Sequence, residues 1–270
     1  MLLIQNNMTV EFPQIKQEQA KSKGEVQLEE VAELEAPIKK IIEKIKNRIE
    51  NGEYGLIIGD DASGRIPTRI LGDFIRDISK IKGHYQPNII FIPGRKFNSL
   101  GSDSKESMFQ KQFEQYISKF GAVSSKKILV ITDTVYSGES LIKLANLIKN
   151  AGYVLEIATI GQEFEGPLGR PDSLADENLE GIEIISGEFQ AKKEQEEKTG
   201  WAHTPMIYAN KKMSGVYKTS GQLKSERLID KHGSGLERDQ VQYEVERSRK
   251  NAKIMTNKLV DWYLGLSDEK

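Results

Sequence analysis

The residues best suited to chemistry lie in one segment of the chain, Ile128 to Ser140. Its first four residues are aliphatic and predict a short strand buried on both faces, as in the centre of a parallel sheet. Asp133 follows this strand, and apolar residues with helical spacing start at Leu141. The loop around Gly138 would then lie at a helix N-terminus. Open backbone N–H groups and the helix dipole there favour an anion such as phosphate.

A simpler interpretation of this segment also stands. A strand, a turn and a helix are an ordinary connection, in which Asp133 or Ser137 would only cap the helix. Short motifs of this kind also occur by chance, so a second feature is needed to favour a binding site.

A second loop of the same kind, Asp60 to Arg65, follows an earlier apolar strand and precedes another amphipathic helix. Gly64 allows the backbone to approach an anion closely, and Arg65 can hold two phosphate oxygens at once. Asp60 and Asp61 could act through Mg²⁺, which commonly bridges carboxylates and phosphates. The alternative is an ordinary glycine-containing turn with solvated charges.

The two loops, in this order, resemble the binding motifs of type I phosphoribosyltransferases, which use 5-phosphoribosyl 1-diphosphate. In that family two adjacent acids hold the ribose hydroxyls, loop amides hold the 5-phosphate, and an earlier loop binds the diphosphate. Asp133 matches the second acid, whereas Thr132 replaces the first. The resemblance implies catalytic roles for Asp133 and Arg65, and a Mg²⁺ site at Asp60 and Asp61. The positions that it assigns to substrate binding are Ser63, Gly64, Arg95, Lys96, Thr132, Thr134, Val135, Tyr136, Ser137, Gly138, Glu139 and Ser140.

Arg95 and Lys96 belong to a polar stretch rich in glycine and serine that extends to Lys105. The family has a flexible loop here that closes over the diphosphate, which would bring these three basic residues to the leaving group. An exposed loop with ordinary surface charges is the alternative.

Alternating strands and helices predict an α/β fold with a mostly parallel central sheet flanked by helices. The predicted organisation is a flexible arm over residues 1–33, a core over 34–161, and a small C-terminal hood or helical extension over 162–270. That extension would include a helix over 191–198 and a long terminal helix over 238–264. In the family a hood contacts the nucleobase. The aromatic residues available for stacking there, or for ordinary packing, are Phe189, Trp201, Tyr208 and Tyr217.

Composition narrows the possible partners and compartments. The 270 residues carry a formal net charge of −1, so no global field favours nucleic acid or anionic lipid. The absence of cysteine excludes disulfides, thiolate zinc sites and cysteine nucleophiles. No apolar run approaches the roughly 20 residues of a membrane helix, and the first ten residues do not resemble a signal peptide. We therefore expect a cytoplasmic protein that binds neither membranes nor nucleic acids.

Three functions are compatible with these features. The first is a Mg²⁺-dependent transferase, expected to be a homo-oligomer, that moves the phosphoribosyl group to a nucleobase or related nucleophile and releases diphosphate. The second is a protein of the same fold that senses phosphoribosyl diphosphate or a nucleotide without turning it over. Thr132 favours the sensor because it lacks the charge of the acid that it replaces. Tyr136 favours the sensor because tyrosine is a poor general base at neutral pH. The third, an aspartyl-phosphate phosphatase, ranks far below because Asp133 does not begin an Asp-x-Asp motif.

Overall fold

A parallel sheet of five strands forms the centre of the protein. The computed structural model describes residues 24–60, 64–92, 103–135, 139–162, 181–188, 216–219, 222–225 and 238–266. Its elements in chain order are α1 Glu29–Ala32, α2 Glu35–Glu50, β1 Tyr54–Asp60, α3 Arg65–Ile81, β2 Asn88–Ile92, α4 Asp103–Lys119, β3 Lys127–Val135, α5 Glu139–Asn150, β4 Leu155–Gln162, β5 Glu183–Ser186, β6 Val216–Thr219, β7 Gln222–Ser225 and α6 Arg238–Tyr263.

The strand order in the sheet is β2-β1-β3-β4-β5, and all four pairings are parallel. The predicted α/β fold, with a mostly parallel sheet and flanking helices, is confirmed. Strands β6 and β7 form a separate antiparallel pair within the segment predicted as a hood. No helix in the described parts of the chain is long and apolar enough to cross a membrane.

Helices cover both faces of the sheet because its central strands are apolar on both faces. Leu129 and Ile131 of β3 belong to one core with residues of α2, α3 and α6. Ile128 and Val130, which alternate with them, belong to a second core with residues of α4 and α5. None of these four β3 side chains is more than 1% exposed. The molecule thus has three layers, as right-handed crossovers on both sides of a sheet require.

The terminal helix α6 packs on the first of these layers. The Thr256 hydroxyl lies 3.3 Å from the carbonyl oxygen of Ile70 in α3, and the Lys258 ammonium lies 2.7 Å from the Glu35 carboxylate of α2. The Tyr263 hydroxyl donates to Glu50 at 3.0 Å. The second half of α6 is therefore part of the first core.

Residues 24–33, at the end of the segment expected to be a flexible arm, also contact α6. Leu28 and Val31 are buried, and the side-chain oxygen of Asn251 accepts hydrogen bonds from the backbone amides of Gln27 and Leu28, at 2.6 and 3.1 Å. Residues 1–23 lie outside the described structure. The division of the chain at residues 33 and 161 stays a prediction.

A buried ionic network joins the amino ends of the strands. Glu156, only 3% exposed, accepts hydrogen bonds from the Tyr54 hydroxyl at 2.7 Å, Lys127 Nζ at 2.6 Å and an Arg48 guanidinium nitrogen at 3.2 Å. Burial, together with the Glu156 charge, raises the pKa of Tyr54. The network ties β1, β3 and β4 to α2 at the edge of the sheet opposite to the two predicted binding loops.

Candidate functional site

Asp60 and Asp133 lie at neighbouring strand ends. In the parallel pair β1 and β3, Gly59 is the partner of Ile131, and the two acids follow at the same edge of the sheet. From β1 the chain continues to β2 on one side, whereas β3, β4 and β5 lie in succession on the other side of β1. The direction of the strand order therefore reverses between β1 and β3. Ligands of open α/β sheets bind at such a switch point, beyond the carboxyl ends of the strands. The described residues that flank the two predicted loops therefore lie at this switch point of the sheet.

Gly64 holds the second loop against both strands. Its amide donates to the carbonyl oxygen of Asp60 at 2.9 Å, and α3 begins at the next residue. A Cβ atom at Gly64 would lie 2.6 Å from the Ile131 carbonyl oxygen and 2.7 Å from that of Asp60. Its φ of −76° is available to any residue, so the requirement for glycine is purely steric. The missing side chain allows the N-terminus of α3, with Arg65, to meet the end of β3.

Asp133 is more accessible than its neighbour Thr132. Asp133 has intermediate exposure, whereas Thr132 is 1% exposed. The Thr159 hydroxyl of β4 donates to the Gly161 carbonyl oxygen at 2.5 Å and lies 3.3 Å from the Asp133 carbonyl oxygen. Alternation along β3 places Asp133 on the same face as Ile131, the face that α3 covers. A ligand approaching the strand ends therefore meets Asp133 before Thr132.

Two arginines of α3 pack against one aromatic ring beside this site. The guanidinium carbons of Arg65 and Arg69 lie 4.8 and 5.3 Å from the ring centroid of Phe91 in β2. Phe91 is the strand partner of Gly59, and a Cβ atom at Gly59 would lie 2.6 Å from the Phe91 ring and 2.8 Å from the Thr68 hydroxyl. Because Gly59 lacks a side chain, the ring and its two arginines can lie close to the end of β1.

A third arginine comes from the other end of the chain. Partial burial lowers the pKa of Arg249 in α6, and the positive charges of Arg69 and Arg65 lower it further, against the opposing charge of Glu246. Sequence analysis identified Arg65 as a candidate site residue, but it did not identify Arg69, Phe91 or Arg249. For Arg69, the local signal in the sequence was its spacing from Arg65 by one helical turn. The position of Arg249 depends on how α6 packs, which local patterns do not show.

Several predicted site residues have only their backbone described, or fall outside the description. Thr134 and Val135 end β3, paired with Gly161 and Gln162, and Glu139 and Ser140 begin α5. A helix thus starts at the end of the predicted phosphate loop. Lys105, expected in a loop, lies in α4. Outside the described residues are Asp61, Ser63, Arg95, Lys96, Tyr136, Ser137, Gly138, Phe189, Trp201, Tyr208 and the helix predicted over 191–198; Tyr217 lies in β6.

The carboxylates at this edge suit a hard cation that a ligand helps to hold. Asp60 and Asp133 supply oxygen donors, and Mg²⁺ is commonly bound by one or two carboxylates together with substrate phosphates and water. Among the residues that the structure describes, no cluster of three or more acidic, histidine or cysteine side chains is placed to bind a metal. Of the two acids predicted to act through Mg²⁺, Asp60 ends β1 and Asp61 lies outside the described residues, so the Mg²⁺ site stays a prediction.

The comparisons with known proteins leave the family open. No protein-family model matches the chain, and no curated protein is significantly similar to it. The functional argument consequently depends on the geometry of the two strand ends.

Proposed function

We propose that this protein binds 5-phosphoribosyl 1-diphosphate with Mg²⁺ at the carboxyl ends of β1 and β3. It then transfers the phosphoribosyl group to a nucleobase or related nucleophile and releases diphosphate. The observation that carries the proposal is the close approach at Gly64, where a Cβ atom would lie 2.6 Å from the Ile131 carbonyl oxygen. This approach joins the loop assigned to diphosphate to β3, which carries Asp133, the residue assigned to ribose, two residues before its end.

The dimensions of the site suit one such ligand. Neighbouring strands lie about 4.8 Å apart, so groups at the ends of β1 and β3 can contact the two sides of a single ribose ring. The 5-phosphate would bind at the N-terminus of α5 and the diphosphate at the N-terminus of α3. Both helix termini favour anions through their open N–H groups and dipoles.

The proposed reaction breaks the bond between ribose C1 and a diphosphate oxygen, and the bonding electrons leave with diphosphate. A nitrogen lone pair of the acceptor forms the new bond to C1. Asp133 positions the ribose through its hydroxyls, and Arg65 stabilises the negative charge that develops on the departing diphosphate. Mg²⁺, when bound, neutralises part of that same charge.

A sensor that binds the same ligand without turnover is the second candidate. Thr132 favours it, because this residue replaces an acid of the family motif and is 1% exposed. A site with one carboxylate fewer can still hold phosphates at the two helix termini. It would supply less orientation and charge at the ribose, where the reaction occurs.

Arg65→Ala separates the two candidates. If the protein is a transferase, loss of this charge should lower the rate of diphosphate release about a hundredfold or more, well beyond its effect on ligand affinity. The matched control is Arg76→Ala on the same helix, since Arg76 lies 3.8 Å from the Asp73 carboxylate, away from the strand ends. Both rates are measured with phosphoribosyl diphosphate, Mg²⁺ and a panel of purine, pyrimidine and amine acceptors.

Each result of that experiment decides between the candidates. Diphosphate release by wild type, with a selective loss in Arg65→Ala, supports the transferase. Binding without release for any acceptor supports the sensor. If wild type neither binds phosphoribosyl diphosphate nor releases diphosphate, both candidates are rejected.

A further inference from the structure

We infer that Phe91 is a positioning residue, which holds the Arg65 guanidinium group beside the carboxyl end of β1. The contact between these two side chains is a property of the fold, whereas its use in diphosphate release rests on the proposed function. Phe91 carries no charge, so it acts on the orientation of Arg65 and leaves the charge balance of the site unchanged. Arg65 has other contacts besides this ring, and Asp60 and Asp133 lie at the same strand ends.

The Phe91 ring is confined by a strand and a helix. Gly59 is its strand partner in β1, and a Cβ atom there would lie 2.6 Å from Cδ1 and 2.7 Å from Cε1 of the ring. The same point is 2.8 Å from the hydroxyl oxygen of Thr68 in α3, a residue that is fully buried. The edge of the ring therefore lies against the β1 backbone and beside α3, which leaves it little room to move.

The ring lies on the side of the sheet that α3 covers. Ile90 and Ile92, the neighbours of Phe91 in β2, belong to the second core, whereas Ile89 packs against the first core, which includes residues of α3. Side chains alternate along a strand, so Phe91 shares the side of Ile89. Phe91 thus presents an aromatic ring to α3 near the carboxyl end of β2.

Two arginines of α3 pack over this ring, and Arg65 is the one that it can restrict more. The Arg65 guanidinium carbon lies 4.8 Å from the ring centroid, and Arg65 is partly buried. The Arg69 guanidinium carbon lies 5.3 Å away, and Arg69 is exposed. The face of a ring attracts a cation more strongly where water is excluded from the contact. The ring therefore holds Arg65 more firmly than Arg69.

A fixed guanidinium group suits the role proposed for Arg65. A long arginine side chain loses many rotamers when it must point at one ligand. The ring removes part of this loss in advance, because it favours the rotamers that place the guanidinium group beside the end of β1. A preorganised charge stabilises a developing anion without having to move during the reaction. Phe91 therefore assists diphosphate release without touching the ligand.

The first test is the rate of diphosphate release by wild type, Phe91→Leu and Phe91→Tyr, measured over a range of phosphoribosyl diphosphate concentrations with Mg²⁺ and the panel of acceptors. Phe91→Leu keeps an apolar side chain without an aromatic face, so we expect kcat to fall about tenfold with little change in KM. Phe91→Tyr retains the face, and its kcat should stay within about threefold of wild type. Phe91→Met takes the place of Phe91→Leu if the latter does not fold.

A double-mutant cycle shows whether Phe91 acts through Arg65. Phe91→Leu should lower kcat about tenfold in the wild-type background but less than about twofold in the Arg65→Ala background, where this guanidinium group is absent. The matched control is Ile89→Ala, on the same side of β2 but beside Gly72 of α3. It should lower the Tm at least as much as Phe91→Leu does and leave kcat unchanged.

A measurement without ligand tests the contact itself. The ring current of Phe91 should shift the NMR resonances of the Arg65 side chain, and this shift should disappear in Phe91→Leu and remain in Phe91→Tyr. The Arg65→Ala protein identifies the resonances, because its spectrum lacks them. If they are the same in wild type and Phe91→Leu, the ring does not hold Arg65 and the inference is overturned.

The kinetic outcomes separate the role of Phe91 from the proposed function. Equal rates of diphosphate release by wild type and Phe91→Leu overturn the inference and leave the proposed function standing. A tenfold loss that persists in the Arg65→Ala background also overturns it, because Phe91 then acts independently of Arg65. If wild type neither binds phosphoribosyl diphosphate nor releases diphosphate, the proposed function is rejected together with any role of Phe91 in it. The NMR comparison then decides alone whether the ring holds Arg65.

Discussion

At the scale of single residues, two missing side chains shape the candidate site. Gly64 leaves room for the carbonyl oxygens of Ile131 and Asp60, and Gly59 leaves room for the Phe91 ring. The sequence predicted a functional glycine at position 64 but gave a different reason for it, namely close approach to a ligand. In the structure the close approach is to the protein's own backbone, and the glycine acts by positioning the loop.

Gly64→Ala should therefore destabilise the protein and weaken ligand binding together. A methyl group 2.6 Å from a backbone oxygen forces the loop or β3 to move, which typically costs about 1–3 kcal/mol in the free energy of unfolding. Urea denaturation measures that cost, and calorimetry measures the affinity for phosphoribosyl diphosphate.

Gly72→Ala is the matched control for this variant. Gly72 lies in the same helix, and its added Cβ would meet only flexible side chains, the closest being the end of Ile89 at 3.0 Å. Alanine also gains up to about 1 kcal/mol in helix propensity over glycine, which offsets this crowding. If Gly64→Ala is as stable as Gly72→Ala, the loop is not held in the way described.

At the scale of secondary-structure elements, the ends of the described chain support each other. Helix α1 has no side-chain cap of its own at Leu28. Asn251 of α6 instead holds the residue before the helix, because its side-chain oxygen accepts from the Leu28 amide, and its side-chain amide donates to the Arg247 carbonyl oxygen at 2.9 Å. Helical periodicity predicted α6 almost to its boundaries. Its partners could not be predicted, because they depend on contacts between residues 176 or more positions apart.

Asn251→Ala should lower the free energy of unfolding by about 1–3 kcal/mol, since it leaves the buried amide of Leu28 without its acceptor. Asn251→Asp keeps the acceptor but buries a carboxylate and removes the donor to the Arg247 carbonyl oxygen, so it should also be less stable than wild type. Chemical denaturation of the three proteins measures both losses. Equal stabilities of Asn251→Ala and wild type would contradict this role of Asn251.

The contact between α2 and α6 predicts a dependence on pH. Burial alone would raise the pKa of Glu35, but hydrogen bonds and charges from Lys258 and Lys39 outweigh it and lower the pKa below its ordinary value of 4.5. A carboxyl whose pKa is lower in the folded state stabilises that state above its unfolded pKa. This contribution is lost as the pH falls through the folded pKa.

Glu35→Gln should consequently be less stable than wild type at pH 7, and the difference should shrink at acid pH, as the pH falls below 4.5 and through the lower folded pKa. Glu43→Gln, an exposed position on the same helix, serves as the control and should differ little from wild type at either pH. Denaturation of all three proteins at both pH values provides the measurement. A deficit of Glu35→Gln that persists unchanged at low pH would show that packing, rather than charge, is responsible.

At the scale of the whole molecule, the sequence predicted the layered α/β architecture because the strands and helices have clear and different periodicities. Asp60 and Asp133 could be placed at one edge of the sheet, since parallel strands have their carboxyl ends on the same side. The strand order, and hence the switch point between β1 and β3, could not be read from local patterns. The same holds for Arg249 and for the buried Glu156 network, which depend on long-range packing.

The amino ends and the carboxyl ends of the strands have different roles. At the amino ends, Glu156 and its three partners satisfy one another and hold the strands together. At the carboxyl ends lie Asp60, Asp133, two glycines and the arginines that pack on Phe91, and these are the groups suited to a phosphorylated sugar and its cation. Loss of Glu156 should therefore lower stability, whereas loss of the Asp133 charge at the carboxyl ends should mainly lower ligand binding.

Calorimetric titration with phosphoribosyl diphosphate in the presence of Mg²⁺ tests this central claim most directly. The account predicts one binding site per chain, at least about tenfold weaker in Asp133→Asn and weaker in wild type when a chelator removes Mg²⁺. Glu183→Gln, which alters an exposed partner of Arg48 at the opposite edge, should bind as wild type does. Absence of binding by folded wild type, or equal affinity in Asp133→Asn, would contradict the assignment of this edge as the ligand site.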